Sequence, residues 1–215
     1  VGVAMGSRGT DVAREAAGLV VLNDDLGSIV EAIRLGRRIA DNIRKATVFV
    51  VAVHVPLVGL ALLPLLLGWP PMLAPAHVIF LELVIDPTCA IVFEAQVAER
   101  RAMRRPPRTA SHTVASPLTL AVAAAQGAAL LACALAAYGV ALAWGLQVAE
   151  ARALGFVALV AGTTCLALTN LSWDDFAFAP RLLLHPAVAV AIGATGAMLA
   201  LLLAWPAARG VLLSL

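Results

Sequence analysis

From about residue 46 onward the chain is dominated by apolar runs too long for an ordinary buried helix or strand. Five of them, 46–67, 77–97, 117–142, 153–171 and 186–205, reach the length of roughly 20 residues that a helix needs to cross a hydrocarbon core of about 30 Å. Polar residues and breakers fall between the runs. Gly68-Trp69-Pro70-Pro71 is short and uncharged, so it predicts a tight turn that folds the first two spans into a hairpin. Trp69, Trp144, Trp173 and Trp205 all fall at run ends, where an amphipathic ring sits at the level of the lipid headgroups.

Before residue 46 the pattern is different. Val1 to Met5 reads as a short strand and Gly6 to Gly9 as a turn. Thr10 is placed to cap a helix over 11–17, with Gly18 as its stop, and Leu19 to Leu22 reads as a buried strand. This is a short β-α-β unit. Ser28 and Glu31 have the spacing of a capping box, and Ile29, Ile33, Gly36, Ala40 and Ile43 then recur every three or four residues along one helix face. No breaker separates that helix from the first span, so it predicts a stalk running straight into the bilayer. The expected fold is therefore mainly α. A polytopic membrane domain of about five helices, 46–215, follows a β-α-β tail at 1–27 and a stalk helix at 28–45.

Composition narrows the function. The 215 residues are 62% hydrophobic and 13% charged, with a mean hydropathy of +0.95, whereas soluble domains carry about 25% charged residues. A soluble enzyme is excluded. A net charge of +2 offers nucleic acid no electrostatic footprint. Cys89, Cys133 and Cys165 each stand alone in apolar sequence and read as small buried hydrophobes. Arg34, Arg37, Arg38, Arg44 and Lys45 precede the first span, and Arg100, Arg101, Arg104, Arg105 and Arg108 follow the second. Two crossings bring both clusters to the same side, and basic loops mark the cytosolic one. The N-terminal segment is thus expected in the cytosol of a multi-pass protein, with the lipid bilayer as its first partner. Alanine-rich, arginine-over-lysine usage points to a bacterial plasma membrane. The absence of an initial Met and the short tail after the last run suggest a chain cut at both ends.

Ionisable residues within spans are costly and mark ion pathways. Here they are His54 in the first span and Glu82, Asp86 and Glu94 in the second. Glu82 and Asp86 are four apart and share a helix face. At a rise of about 1.5 Å per residue, His54 lies about 12 Å from one end of its span and Asp86 about 13–15 Å from the opposite face, so both fall near mid-membrane. Pro56 and Pro87 free the carbonyls of Ala52 and Leu83 at the same depth. The candidate site for a transported cation is accordingly Glu82, Asp86 and His54. Thr163, Thr164 and Asn170 in the fourth run are read as helix-packing hydrogen bonders, and His77 as interfacial. Gly6-Ser7-Arg8-Gly9 before a helix has the outline of a phosphate loop.

Several stretches together resemble one family. Val3-Ala4-Met5-Gly6-Ser7-Arg8-Gly9-Thr10-Asp11-Val12-Ala13-Arg14-Glu15-Ala16-Ala17, then Leu22-Asn23-Asp24-Asp25 and Gly36-Arg37-Arg38-Ile39-Ala40-Asp41-Asn42-Ile43-Arg44-Lys45, resemble the end of the phosphorylation domain and the start of the fifth span of P-type cation-transporting ATPases of the calcium-pump-like branch. Met103-Arg104-Arg105-Pro106-Pro107-Arg108 resembles the family's cytosolic loop after the sixth span. The resemblance implies a HAD-like origin for 1–27 and a structural place there for the Gly6–Gly9 turn. It also implies spans five to nine for the five runs, a transported cation, and missing N-terminal pump domains as partners. Those domains would carry the phosphorylated D-K-T-G motif, the G-D-G-x-N-D magnesium motif and the P-E-G-L-type fourth span. ATP and magnesium are implied as cofactors of the whole pump and none for this chain, which alone is expected to hydrolyse no ATP. Asp86 matches the aspartate of the family's N-L-V-T-D motif, but Glu82 replaces its asparagine and Ile85 its threonine. Val55-Pro56-Leu57-Val58 stands where calcium-pump-like members carry N-x-x-E. An intact calcium site is therefore not implied; a different ion, a proton or a single-ion site fits better. The competing reading is a stand-alone carrier, regulator or scaffold derived from a pump.

Overall fold

The computed structural model describes residues 1–82, 91–96, 98–99, 102–106, 116–172 and 186–204. Two compact units emerge: Val1–Asp41 with the described residues between 97 and 107, and Asn42–Gln96 with the described residues beyond 108.

In the first unit β1 (Val3–Met5), α1 (Asp11–Ala16) and β2 (Leu19–Val21) form the expected β-α-β. The strands pair in parallel, Ala4 opposite Val20. Thr10 caps α1, its hydroxyl accepting from the Ala13 amide at 3.2 Å. The Gly6–Gly9 turn does not stand open for phosphate. Its Ser7 and Arg8 amides each donate to the Asp24 carboxylate at 3.0 Å, and Arg8 adds an ion pair at 3.5 Å. Asp24 itself takes φ 53°, a left-handed conformation aspartate tolerates. Burial pushes the Asp24 carboxyl up, but the amides of Ser7, Arg8 and Gly6 and the Arg8 charge outweigh this and hold it below the usual carboxylate range.

The long helix α2 spans Gly27–Leu66, unbroken through Pro56 and Pro64, and is about 60 Å long at 1.5 Å per residue. Its start corrects the expected capping box. Asp25 accepts from the Gly27 amide at 2.8 Å, and the Ser28 hydroxyl is engaged with the Asn23 side chain at 2.8 Å. An earlier acceptor thus begins the helix one residue sooner. Within the first unit, Arg37 donates to the carbonyls of Ala102 and Arg105, both at 2.6 Å, holding the 3₁₀ turn Ala102–Arg104. Arg105 pairs with buried Asp41 at 3.5 Å.

In the second unit α3 (Pro75–Phe80), α4 (Pro117–Ala143), α5 (Val148–Asn170) and α6 (Pro186–Ala204) join the later part of α2. Among the described residues, three helices, α2, α4 and α5, are long and apolar enough to cross a membrane, and α6 contributes a shorter apolar stretch. The chain is mainly α and polytopic. Glycine sets two of the turns. Gly68 and Gly145 take φ of 70° and 78°. After each, paired bonds return to the last helical turn: Trp69 to Pro64 and Gly68 to Leu65, then Leu146 to Ala141 and Gly145 to Leu142. α4 starts on Ser116, whose hydroxyl accepts from the Thr119 amide at 3.2 Å, with Pro117 in the first turn. α4 and α5 pack along each other. Phe49, Leu60, Leu130, Tyr138 and Leu159 belong to the shared core.

Cys133 and Cys165 are exposed, against the expectation of burial. On helices in lipid a small apolar side chain is as well accommodated outside as inside, so apolarity does not select the buried face. Cys89 lies outside the described residues.

Candidate functional site

His54 lies on an exposed face of α2. Its Nδ1 is 2.8 Å from the Val50 carbonyl. A carbonyl only accepts, so Nδ1 carries the proton and Nε2 keeps the lone pair. The ring borders an open groove of about 730 Å³ lined otherwise by apolar side chains, including Val50, Val58, Leu62 and Leu131.

Glu82 follows α3, where residues 81–82 widen into a π-type turn. Leu81 is buried and Glu82 exposed. Such turns recur at functional sites because they re-aim side chains. Glu94 is exposed as well. Asp86, with Pro87 and Leu83, lies outside the described residues. Among the described residues no three His, Cys, Asp or Glu side chains form a metal-holding group.

The carbonyl freed by Pro56 has a packing role. Ala52 is fully buried, and its oxygen lies where a Cβ on Gly127 of α4 would overlap it. Glycine at 127 lets α4 approach the kink-prone turn of α2 closely. Thr164 donates to its own helix at Val160, 2.9 Å. Asn170 links α5 to α4 through Gln126 at 3.1 Å. Thr163 is buried, and its hydroxyl has no hydrogen-bond partner among the described residues.

Sequence reading missed several polar residues that the fold buries. Lys45 is 1% exposed, and its Nζ donates at 2.8 Å to the carbonyl of Leu171, the residue that ends α5. A cation there meets the negative end of the helix dipole. Asn42 donates to the Gln96 carbonyl at 3.1 Å. His77 is not interfacial but fully buried. It sits three residues into α3 and accepts from the Ala74 amide at 3.0 Å. Tyr138 donates to the Pro70 carbonyl at 2.8 Å and Arg152 to that of Pro71 at 2.7 Å. These two bonds tie the turn after α2 onto α4 and α5. Lys45 belonged to a basic cluster, and the Tyr138 and Arg152 partners are backbone carbonyls. A pattern of side chains records neither.

A mainly helical, polytopic chain whose α2, α4 and α5 are long and apolar enough to cross a membrane defines a membrane domain. The family model "Cation transporting ATPase, C-terminus" matches residues 70–214, and the chain belongs to that family. Calcium-transporting ATPase 1 of Bacillus cereus is 36% identical over 116 residues, 54% of this chain and 13% of that protein. A calcium-transporting ATPase of Bacillus subtilis is 38% identical over 108 residues, 50% and 12% respectively. A sodium/potassium-transporting ATPase α subunit of Hydra vulgaris is 35% identical over 108 residues, 50% and 10%. The matches thus span little more than a tenth of each relative's length. They favour the pump family over a stand-alone module.

Proposed function

We propose that this chain supplies the ion pathway of an ATP-driven cation pump. Residues 1–27 close the phosphorylation domain, 28–45 form the stalk and 46–215 the membrane domain. The observation that carries the proposal is the family match over 70–214, the stretch that holds both Glu82 and Asp86. The exposure of Glu82 and His54 supports it. A carboxylate at mid-membrane is not left facing lipid, so further helices of the whole pump are expected to cover that face. Glu82 and Asp86 provide oxygen ligands, and His54 Nε2 a neutral one. The whole protein is expected to use ATP and magnesium on its N-terminal domains, with the basic loops in a bacterial cytosol. The uninterrupted α2 then couples hydrolysis to the pathway, because a continuous helix moves as a unit.

The test uses the full-length protein. Glu82→Gln and Asp86→Asn should each weaken ion-stimulated hydrolysis at least about tenfold in ion concentration, equivalent to about 1.4 kcal/mol. Phosphoenzyme formation from inorganic phosphate should persist. Unchanged ion dependence in both variants would remove these carboxylates from the pathway.

A further inference from the structure

His77 is built to feel a proton. Its Nδ1 accepts the Ala74 amide hydrogen at 3.0 Å, so the lone pair is on Nδ1 and the ring proton on Nε2. That bond satisfies the amide which begins α3. The imidazole is 0% exposed, and Nε2 has no hydrogen-bond partner among the described residues. The ring of Phe156 lies against it, centroids 4.7 Å apart.

A second proton cannot be accommodated in this arrangement. It would have to go on Nδ1, placing two donors face to face where one bond now stands. It would also bury an imidazolium that has no acceptor among the described residues. The charged and titratable groups facing His77 add no relief. From α5 comes Arg152, a like charge whose guanidinium is committed to the Pro71 carbonyl. From α4 comes Tyr138, whose hydroxyl is committed to Pro70. The turn 67–74 carries no ionisable residue. The easier course is for the α3 start and the turn before it to let go.

We propose that His77 is a proton-operated latch on the turn joining α2 to α3: neutral, it holds the turn against α4 and α5, and protonated, it releases it. Met72 is the natural reporter. It is 1% exposed and sits in the contact with Gly155 and Tyr138 that release would break. The side of the membrane from which the proton comes rests on the pump reading; the latch does not.

The test is hydroxyl-radical footprinting of the full-length protein in detergent, read residue by residue by mass spectrometry from about pH 7.5 to about pH 4.5, bracketing the ordinary histidine range. Exposed Trp144 serves as the internal reference. Met72 oxidation relative to Trp144 should rise by up to about tenfold per pH unit through the transition, the limit for one linked proton. It should stay flat in His77→Gln, whose amide oxygen accepts from Ala74 without titrating. Protection of the Ala74 amide against hydrogen exchange in the wild type, corrected for the intrinsic pH dependence of exchange, should fall over the same range and remains informative if His77→Gln does not fold. A flat wild-type profile, an equal rise in His77→Gln, or unchanged Ala74 protection overturns the latch. No ATP turnover or transported ion enters this measurement, so it stands or falls apart from the pump reading.

Discussion

Tyr138→Phe isolates the clamp on the turn after α2. The side chain is fully buried, its hydroxyl donates to Pro70 at 2.8 Å, and its ring meets Trp69 edge-on at 6.1 Å. Phenylalanine keeps the ring and its packing, so only the hydroxyl is lost. A net hydrogen bond contributes about 1 kcal/mol, and a buried acceptor left without a partner costs about 1–3 kcal/mol. Hydrogen bonds between membrane helices average about 0.6 and reach about 1.7 kcal/mol. Arg152 already donates to the neighbouring Pro71 carbonyl and can partly take over Pro70. The expected cost is therefore about 1–2 kcal/mol, a factor of about 5–30 in the opening equilibrium of the turn. Tyr138→Ala also removes the ring and should cost about 3–5 kcal/mol. Hydrogen exchange of the amides between Gly68 and Phe80 in the full-length protein reads both. If alanine speeds exchange there and phenylalanine does not, ring packing alone holds the turn and the hydroxyl contributes nothing.

Glycine substitutions should separate by what a Cβ would meet. Gly127→Ala drives a methyl into the Ala52 carbonyl and to 2.7 Å from the Val55 Cβ; neither is a flexible side-chain end, so thermal unfolding should show a loss of about 1–3 kcal/mol. Gly36→Ala, exposed within α2 with nothing within 4 Å of the new Cβ, should instead stabilise by about 0.5–1 kcal/mol through backbone entropy. Asp24, held below its ordinary value by the Ser7 and Arg8 amides against the opposing effect of burial, gives stability that is fully present above the unfolded carboxylate value of about 3.9 and is lost as pH falls through the lowered folded value. Limited proteolysis within residues 1–25 should therefore accelerate in acid, and Asp24→Asn should be cleaved faster at neutral pH with the acid dependence flattened.

The β-α-β unit was legible because Thr10 and the short apolar runs are local signals, and local hydrogen bonds realised them. The turn after α2 was legible for the same reason, since Gly68 takes the left-handed conformation that ends the helix at no steric cost. Pro56 marked a freed carbonyl correctly, but not its destination, which Gly127 on a distant helix decides. The start of α2 was misplaced because Ser28, Asp25 and Asn23 offer competing acceptors within a few residues, and only their geometry ranks them.

The sequence by itself determined that this protein lives in a membrane and which ionisable residues are candidates for the pathway. Length, hydropathy and carboxylate spacing suffice for that, because the cost of burying polar groups in hydrocarbon is large and set by composition. The tertiary structure alone decided which helix faces are covered. It turned Lys45 inward onto the end of α5, Arg152 and Tyr138 onto two proline carbonyls, and His77 into a buried cap, while leaving Cys133 and Cys165 outside. In lipid, apolar side chains have little preference between the two environments, so periodicity does not reveal the inner face. Steric fit and the partnering of a few polar atoms do, and those partners are mostly backbone groups that carry no mark in the sequence.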